Sequence, residues 1–180
     1  MSDSFGIVSC IGGLFRADGT GISLNFENAK IGSIRIGRGF RANGEVRFLN
    51  SVVSGGVDCD GGRFWNAGAT AFNFENAKAR AISMRSDTDG NAFSAEGDVS
   101  LRNAECGSIE CDSAELFNAP GTALSLENAK TGPVYLRNGF HAEGTVQLLL
   151  AISAGDLDCS SGTFDESDAS LNGALRNLWG

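Results

Sequence analysis

The pentapeptide Phe26-Glu27-Asn28-Ala29-Lys30 indicates the fold, because it returns twice further along the chain, as Phe74-Glu75-Asn76-Ala77-Lys78 and as Leu126-Glu127-Asn128-Ala129-Lys130. The three copies lie 48 and 52 residues apart. Such a period is typical of solenoids, in which like units stack and contact their neighbours. Phenylalanines recur at half this interval, 23 to 29 residues apart, at Phe15, Phe40, Phe64, Phe93, Phe117, Phe140 and Phe164. The sequence therefore predicts about seven coils of roughly 25 residues, grouped in pairs.

Each coil carries two short segments in which apolar and polar residues alternate. The pairs Leu24/Phe26 and Ile34/Ile36 open two series of this kind, each repeated in the following coils. A period of two indicates strands with one face buried and the other exposed, so residues between the apolar ones, such as Ser100 and Ser125, are expected to face solvent. We predict an all-β, single-domain parallel β-helix, with the phenylalanines stacked along its axis.

Two further columns of like residues are expected along the axis. An asparagine precedes the small corner residue in five successive coils, and we predict that these amides hydrogen-bond to one another as a ladder: Asn28, Asn50, Asn76, Asn103 and Asn128. Cysteines recur in alternate coils, about 9.6 Å apart and beyond disulfide reach, so we interpret them as small core residues: Cys10, Cys59, Cys111 and Cys159. Cys106 lies off that column and is predicted to be the reactive thiol.

The repeat domain is placed at residues 1–168 and a C-terminal segment at 169–180. That segment has an apolar helical stripe, interpreted as a cap or a dimer contact, with an irregular last coil as the alternative: Leu171, Leu175, Leu178 and Trp179. No apolar run approaches the roughly 18 residues that span a bilayer, and the N-terminus lacks the basic flank of a signal peptide. A cytoplasmic protein without membrane contact is expected.

The net charge of −8 is unevenly distributed. Residues 1–90 carry 10 Lys and Arg against 9 Asp and Glu, whereas residues 91–180 carry 4 against 13. This excess of acid argues against direct nucleic-acid binding and favours a basic protein partner. The predicted contact residues lie on the coils of the acidic half and in a loop at 85–91, which interrupts the fourth coil: Glu110, Asp112, Glu115, Asp156, Asp158, Asp87 and Asp89.

No catalytic residue, cofactor site or metal site is predicted. Glu110 and Asp158 fall in one outward column, with Tyr135 between them, at a spacing that only just suits a pair of glycosidase carboxylates. The loop sequence Asp-Thr-Asp-Gly-Asn at 87–91 resembles part of a calcium loop but lacks the terminal glutamate, so we interpret it as an ordinary turn. His141 is the only histidine of the chain.

The sequence LRNGFHAEGTVQLL at 136–149, followed by GDLDCSSGTF at 155–164, resembles bacterial repeat proteins built on the pattern LRDGFxAxGEVRLLGAxIGGDLDCSGGxF. The resemblance covers nearly the whole chain, and these proteins are similar in style to pentapeptide-repeat proteins. It implies a right-handed parallel β-helix. Many such proteins are labelled membrane-associated oxidoreductases, but no glycine-rich dinucleotide fingerprint follows a predicted strand here. Some pentapeptide-repeat proteins bind type II topoisomerases, which suggests a nucleic-acid mimic.

Three hypotheses for function follow. The leading one is a non-catalytic interaction module, a rigid acidic β-helix that binds a basic protein, such as a nucleic-acid-binding protein. The alternative is a self-assembling scaffold that stacks end to end, with Arg35, Arg38, Arg41 and Arg47 facing the acidic half of the next molecule. The third is an enzyme of unknown substrate that uses wall carboxylates.

Overall fold

A computed structural model describes residues 6–17 and 21–165, and these residues form an all-β parallel solenoid of about 6 turns without a helix. Two parallel sheets run the length of the solenoid. The first sheet comprises β1 (Ile7–Ser9), β4 (Lys30–Ile31), β5 (Ser33–Arg35), β8 (Val52–Asp58), β10 (Lys78–Ser83), β12 (Glu105–Cys106), β13 (Ile109–Glu110), β15 (Lys130–Thr131), β16 (Val134–Tyr135), β18 (Ile152–Ser153) and β19 (Leu157–Asp158). The second comprises β2 (Leu14–Arg16), β3 (Ile22–Asn25), β6 (Arg41–Asn43), β7 (Glu45–Arg47), β9 (Arg63–Asn73), β11 (Ser94–Ser100), β14 (Glu115–Ser125), β17 (His141–Gln147) and β20 (Thr163–Asp165).

Each coil has four short sides, two in each sheet. In the second coil these sides are β4, β5, β6 and β7, separated by Gly32, a turn at 36–40, Gly44 and a turn at 48–51. The predicted columns are confirmed by the register, since Ile34 pairs with Val57 in the first sheet and Val46 pairs with Phe72 in the second. In each sheet the series of hydrogen-bonded strands passes through seven coils. From the first of these coils to the seventh the chain makes about six turns. The predicted parallel β-helix is therefore confirmed.

The phenylalanine stack forms the centre of the core, with one correction. Phe40, Phe64 and Phe93 are fully buried, and their ring centroids lie 5.3 and 5.1 Å apart. The prediction for Phe117 was wrong, because Leu116 takes the inward position of that strand and Phe117 lies half-buried on the outer face. The inward column alternates large and small residues, which gives each ring space above the neighbouring alanine: Phe15, Ala42, Phe64, Ala95, Leu116, Ala142 and Phe164.

The asparagines occupy the predicted corner but do not form the predicted amide ladder. All five are exposed, and none of their side chains makes a hydrogen bond to another described residue. Their φ values are 54 to 58°. Each asparagine is the third residue of a four-residue turn, in which the N–H of the fourth residue donates to the carbonyl of the first, as Ala29 N does to Phe26 O at 3.1 Å. Asparagine is selected because it tolerates the left-handed backbone that this turn requires at its third position.

Two other sequence predictions need correction. Cys106 is only 6% exposed, and burial raises the pKa of its thiol to about 12, so it is not the reactive cysteine. Ser100 and Ser125 lie on the outer face but are fully buried under charged side chains. Ser100 Oγ donates to Glu75 at 2.6 Å, and Arg102 Nε donates to Ser125 Oγ at 3.1 Å. The predicted cap at 169–180, with Leu171, Leu175, Leu178 and Trp179, lies outside the described residues.

Candidate functional site

Most of the predicted acidic residues meet along one edge of the solenoid. The outward column of the first sheet runs through β8, β10, β13, β16 and β19, and a turn follows each of these strands before the chain enters the second sheet. We define the acidic wall as the carboxylates of this column and these turns from the third to the seventh coil: Asp58, Asp60, Asp87, Asp89, Glu110, Asp112 and Asp158. In this stretch only Arg85 and Arg137 supply positive charge, so the wall carries −5.

Arg85 and Arg137 each link a carboxylate of the coil before with one of the coil after. Arg85 contacts Asp60 at 3.0 Å and Glu110 at 3.0 Å. Arg137 contacts Asp112 at 2.7 Å and Asp158 at 2.9 Å. Guanidinium groups suit this role because their donors diverge in a fixed plane. Each pair is partly exposed and contributes little by itself, about 0.2 to 1 kcal/mol, but together the two clamps fix the positions of four carboxylates.

Hydrogen bonds keep one carboxylate of the wall, Asp158, ionised. The pKa of Asp158 is lowered to about 2, first by hydrogen bonds from Ser160 and then by Arg137. The pKa of Arg137 is raised above its usual value, first through its hydrogen bonds to Asp112 and Asp158. The guanidinium carbon of Arg137 also lies 4.2 Å from the ring centroid of Tyr135, a cation–π contact that holds the arginine flat against the wall.

The loop at 85–92 is closed by its own side chains. Asp87 accepts hydrogen bonds from the backbone N–H groups of Asp89 and Asn91, both at 2.9 Å, and from the Asn91 amide at 3.0 Å. These bonds lower the pKa of Asp87, the side-chain bond from Asn91 first. The Asp87 carboxylate therefore holds the turn.

Two of the predicted contact residues lie elsewhere. Glu115 belongs to the second sheet, where it borders an open cavity of about 470 Å³ with Arg63, Gly90, Asn91, Ala92 and Ser94. Asp156 is exposed at the bend before β19. Five of the seven predicted contact residues therefore belong to the acidic wall, and Glu115 and Asp156 lie outside it.

The wall can accept hydrogen bonds and attract cations, and this is the chemistry its geometry provides. Tyr135 separates Glu110 from Asp158 in the register, as expected, and each of these two carboxylates is held by a different arginine. Within residues 6–17 and 21–165, no three His, Cys, Asp or Glu side chains are grouped closely enough to hold a metal ion. The same residues contain no helix long and apolar enough to cross a membrane.

Sequence reasoning missed a second charged surface, on the first side of the second sheet. Arg41, Arg63 and Trp65 are exposed there, at outward positions of β6 and β9. The alternation along these strands predicts that all three side chains point outward, because Arg41 precedes the inward Ala42, and Arg63 and Trp65 flank the inward Phe64. Of these three residues, only Arg41 was assigned from the sequence, to the end-to-end join.

The arrangement defines the protein as a parallel β-solenoid with a charged outer wall. No protein-family model, curated protein or solved structure matches the chain.

Proposed function

We propose that the protein is a non-catalytic interaction module that binds a basic protein surface through the acidic wall, and that it does so in the cytoplasm. The observation that carries this proposal is the excess of carboxylates, seven against two arginines, on a surface whose side chains are fixed by clamps. Five free cysteines, Cys10, Cys59, Cys106, Cys111 and Cys159, are compatible with a reducing compartment.

The spacing of the wall supports a partner that carries regularly placed cations. Strands in neighbouring coils lie about 4.8 Å apart, and the outward strand column of the wall carries Asp58, Glu110 and Asp158 in alternate coils, so the carboxylates of this column recur about every 9.6 Å. A line of fixed negative charge of this kind is also what a nucleic-acid mimic would present to a nucleic-acid-binding protein. Charge complementarity of this type accelerates association and selects partners more than it adds affinity.

The proposal is tested with three forms of the protein. A wall variant combines Glu110→Gln, Asp112→Asn and Asp158→Asn, and a control variant removes the same charge elsewhere by Glu105→Gln, Glu127→Gln and Asp156→Asn. Each tagged form captures partners from a bacterial lysate, and the bound proteins are identified. We expect a basic protein on the wild type and the control but not on the wall variant. Equal capture by all three forms would refute the role of the wall.

A second candidate is end-to-end assembly, which the exposed apolar residues at both ends favour. These are Ile7, Ile11 and Leu14 in the first coil and Leu149, Leu150 and Ile152 near the last. Strands in the terminal coils pair on one side only within the described residues, and open strand edges are templates for further pairing. Arg47 is engaged with Glu27 and Glu45 in the same chain, so it is less available for the join than expected.

End-to-end growth has a clear signature in light scattering. Open stacking predicts a mean mass that continues to rise with concentration. A mass that stays at one or two chains at high concentration and low salt would rule it out.

A further inference from the structure

The first side of the second sheet forms a face with opposite charge at its two ends, and loop residues Gly90, Asn91 and Ala92 border it at the fourth coil. We define the dipolar face as the outward residues of β2, β6 and β20 together with the outward residues among the first three of β9, β11, β14 and β17. One outward column contains Leu14, Arg41, Arg63, Ser94, Glu115, His141 and Thr163, and the other contains Arg16, Asn43, Trp65, Glu96, Phe117, Glu143 and Asp165. Its N-terminal end is thus basic and its C-terminal end acidic.

The basic end consists of arginines that have no carboxylate partner within the described part of the chain. Arg41 and Arg63 are direct register partners in adjacent coils, and Arg16 lies one coil before them. Like charges placed opposite each other on neighbouring strands are destabilising. Five other cations of the described chain each contact at least one carboxylate: Arg47, Lys78, Arg85, Arg102 and Arg137. Other described cations also lack such a contact, namely Lys30, Arg35, Arg38, Arg80 and Lys130, so Arg41 and Arg63 are distinguished by lying side by side in one outward column, where an outside partner can reach both.

The acidic end has the matching property. Glu96 and Glu115 are exposed and form no salt bridge within the described residues. Glu143 and Asp165 contact only His141, at 3.9 and 3.0 Å. Two aromatic side chains lie between the charged ends, with Trp65 48% exposed and Phe117 half-buried against the edge of His141. Exposed tryptophan and arginine are the residue types that contribute most to protein interfaces.

We propose that the dipolar face binds a second copy of this chain, side by side and antiparallel, around a two-fold axis at the fourth coil. A two-fold interface brings one patch against itself, so each coil before the axis meets one after it. Coil three then faces coil five, which places Arg63 against Glu115 and Trp65 against Phe117 of the other copy. Coil one faces coil seven, which places Arg16 against Asp165.

The alternative arrangements lack this match. A parallel two-fold pair would place each coil against the same coil of the other copy, so the basic ends would lie together and the acidic ends would lie together. The acidic wall lies around the corner, on the turns before this side, so the two surfaces are separate sites. Within one chain Arg63 and Glu115 lie two coils apart, on either side of Ser94, too far to neutralise each other.

The size of the face sets the strength of the dimer. Three residues of each strand over seven coils cover about 10 by 34 Å, or roughly 340 Å². This is small for a stable interface, so the dimer is expected to be weak, with a Kd in the micromolar range or above. Because its contacts are exposed ion pairs, the Kd should rise at least tenfold between low salt and about 0.5 M salt.

Charge reversal tests the proposal without depending on one variant. The basic-end variant carries Arg41→Glu and Arg63→Glu, and the acidic-end variant carries Glu115→Arg and Glu143→Arg. A control variant carries Arg35→Glu and Arg80→Glu, which change two exposed arginines that lie away from the face and form no salt bridge within residues 6–17 and 21–165. Sedimentation equilibrium of each full-length protein at low salt measures the Kd, and circular dichroism confirms that each variant folds.

We expect the wild type and the control to form dimers, and each face variant alone to bind itself at least tenfold more weakly. An equimolar mixture of the two face variants should recover wild-type affinity as a heterodimer, because positions 63 and 115 then carry opposite charges again and the reversed charges at 41 and 143 lie in coils that face each other. Glu96 lies beside the two-fold axis, so it faces Glu96 of the other copy. Neutralising it should remove this repulsion and lower the Kd of the dimer.

A wild type that remains monomeric, a dimer unaffected by reversal, or a mixture that fails to recover would each overturn the proposal. Capture of a basic partner by the acidic wall does not require this face, so either proposal can fail without the other.

Discussion

Asp98 is expected to destabilise the folded protein at neutral pH. It follows Gly97 at a corner of the fourth coil and is only 9% exposed. Its Oδ1 has no hydrogen-bond partner among the described residues, and the nearest cation, Arg102, lies 3.7 Å from Oδ2. Burial therefore raises the pKa of Asp98 from 3.8 to about 6, with Arg102 opposing the shift and Glu75 adding to it.

The size of the effect follows from the pKa. Each unit of difference between the folded and unfolded pKa corresponds to about 1.4 kcal/mol, so this shift corresponds to at most about 3 kcal/mol. The attraction of Arg102 is already contained in the folded-state pKa of about 6, so about 3 kcal/mol is the net upper limit. We therefore expect Asp98→Asn to raise the free energy of unfolding by about 1 to 3 kcal/mol at pH 7.5.

The sign of the pH dependence gives a sharper test. A carboxyl whose folded pKa is raised binds its proton more tightly in the folded state, so the destabilisation is complete above pH 6 and disappears as the pH falls towards 3.8. The stability difference between Asp98→Asn and wild type should stay nearly constant from pH 7.5 to about pH 6 and then shrink as the pH falls to 4.5. Urea denaturation at several pH values measures it.

Asp156→Asn is the matched control, because it makes the same chemical change at an exposed carboxylate and should alter stability by less than about 0.5 kcal/mol. If Asp98→Asn destabilises the protein at pH 7.5, or if its effect does not change between pH 7.5 and 4.5, the reasoning from burial is wrong.

Three further outcomes are expected. Leu150 adopts φ 55° where other coils have asparagine, so Leu150→Asn should stabilise the protein by about 1 kcal/mol and Asn128→Leu should cost a similar amount in urea denaturation. Phe93→Ala should cost about 3 to 5 kcal/mol and Phe117→Ala clearly less; equal costs would contradict the placement of Phe117 outside the core. Cys159 is exposed, so a maleimide should label it well before the buried cysteines, and Cys159→Ser should abolish the fast phase.

The sequence allowed the parallel solenoid to be predicted because its two periods are written directly in the chain. The coil length sets which residues stack, and the alternation within each strand sets which residues point inward. The error at Phe117 arose from aligning coils on phenylalanine alone. Counting five residues from each column cysteine leads to Phe64 and Phe164, and from Cys111 it leads to Leu116, which is the residue found inside. Aligning the coil on Phe117 instead of Leu116 shifts its register by one residue, and a shift of one residue moves a side chain to the other face of the strand.

The candidate site was only partly predictable for a different reason. The composition indicated an acidic surface, but the partners of each carboxylate lie in neighbouring coils, as Arg137 does for Asp112, 25 residues away. Such pairs depend on how consecutive coils align, which strand patterns alone do not give. The dipolar face was missed because its arginines and glutamates are far apart in sequence and form a pattern only once the coils are stacked.

The most direct test of the proposed function is the affinity of the captured partner for the wild type, the wall variant and the control variant, measured by calorimetry at two salt concentrations. The account predicts equal Kd values for wild type and control, and a Kd at least tenfold higher for the wall variant, with the difference reduced at high salt. The same Kd for all three proteins would contradict binding through the acidic wall.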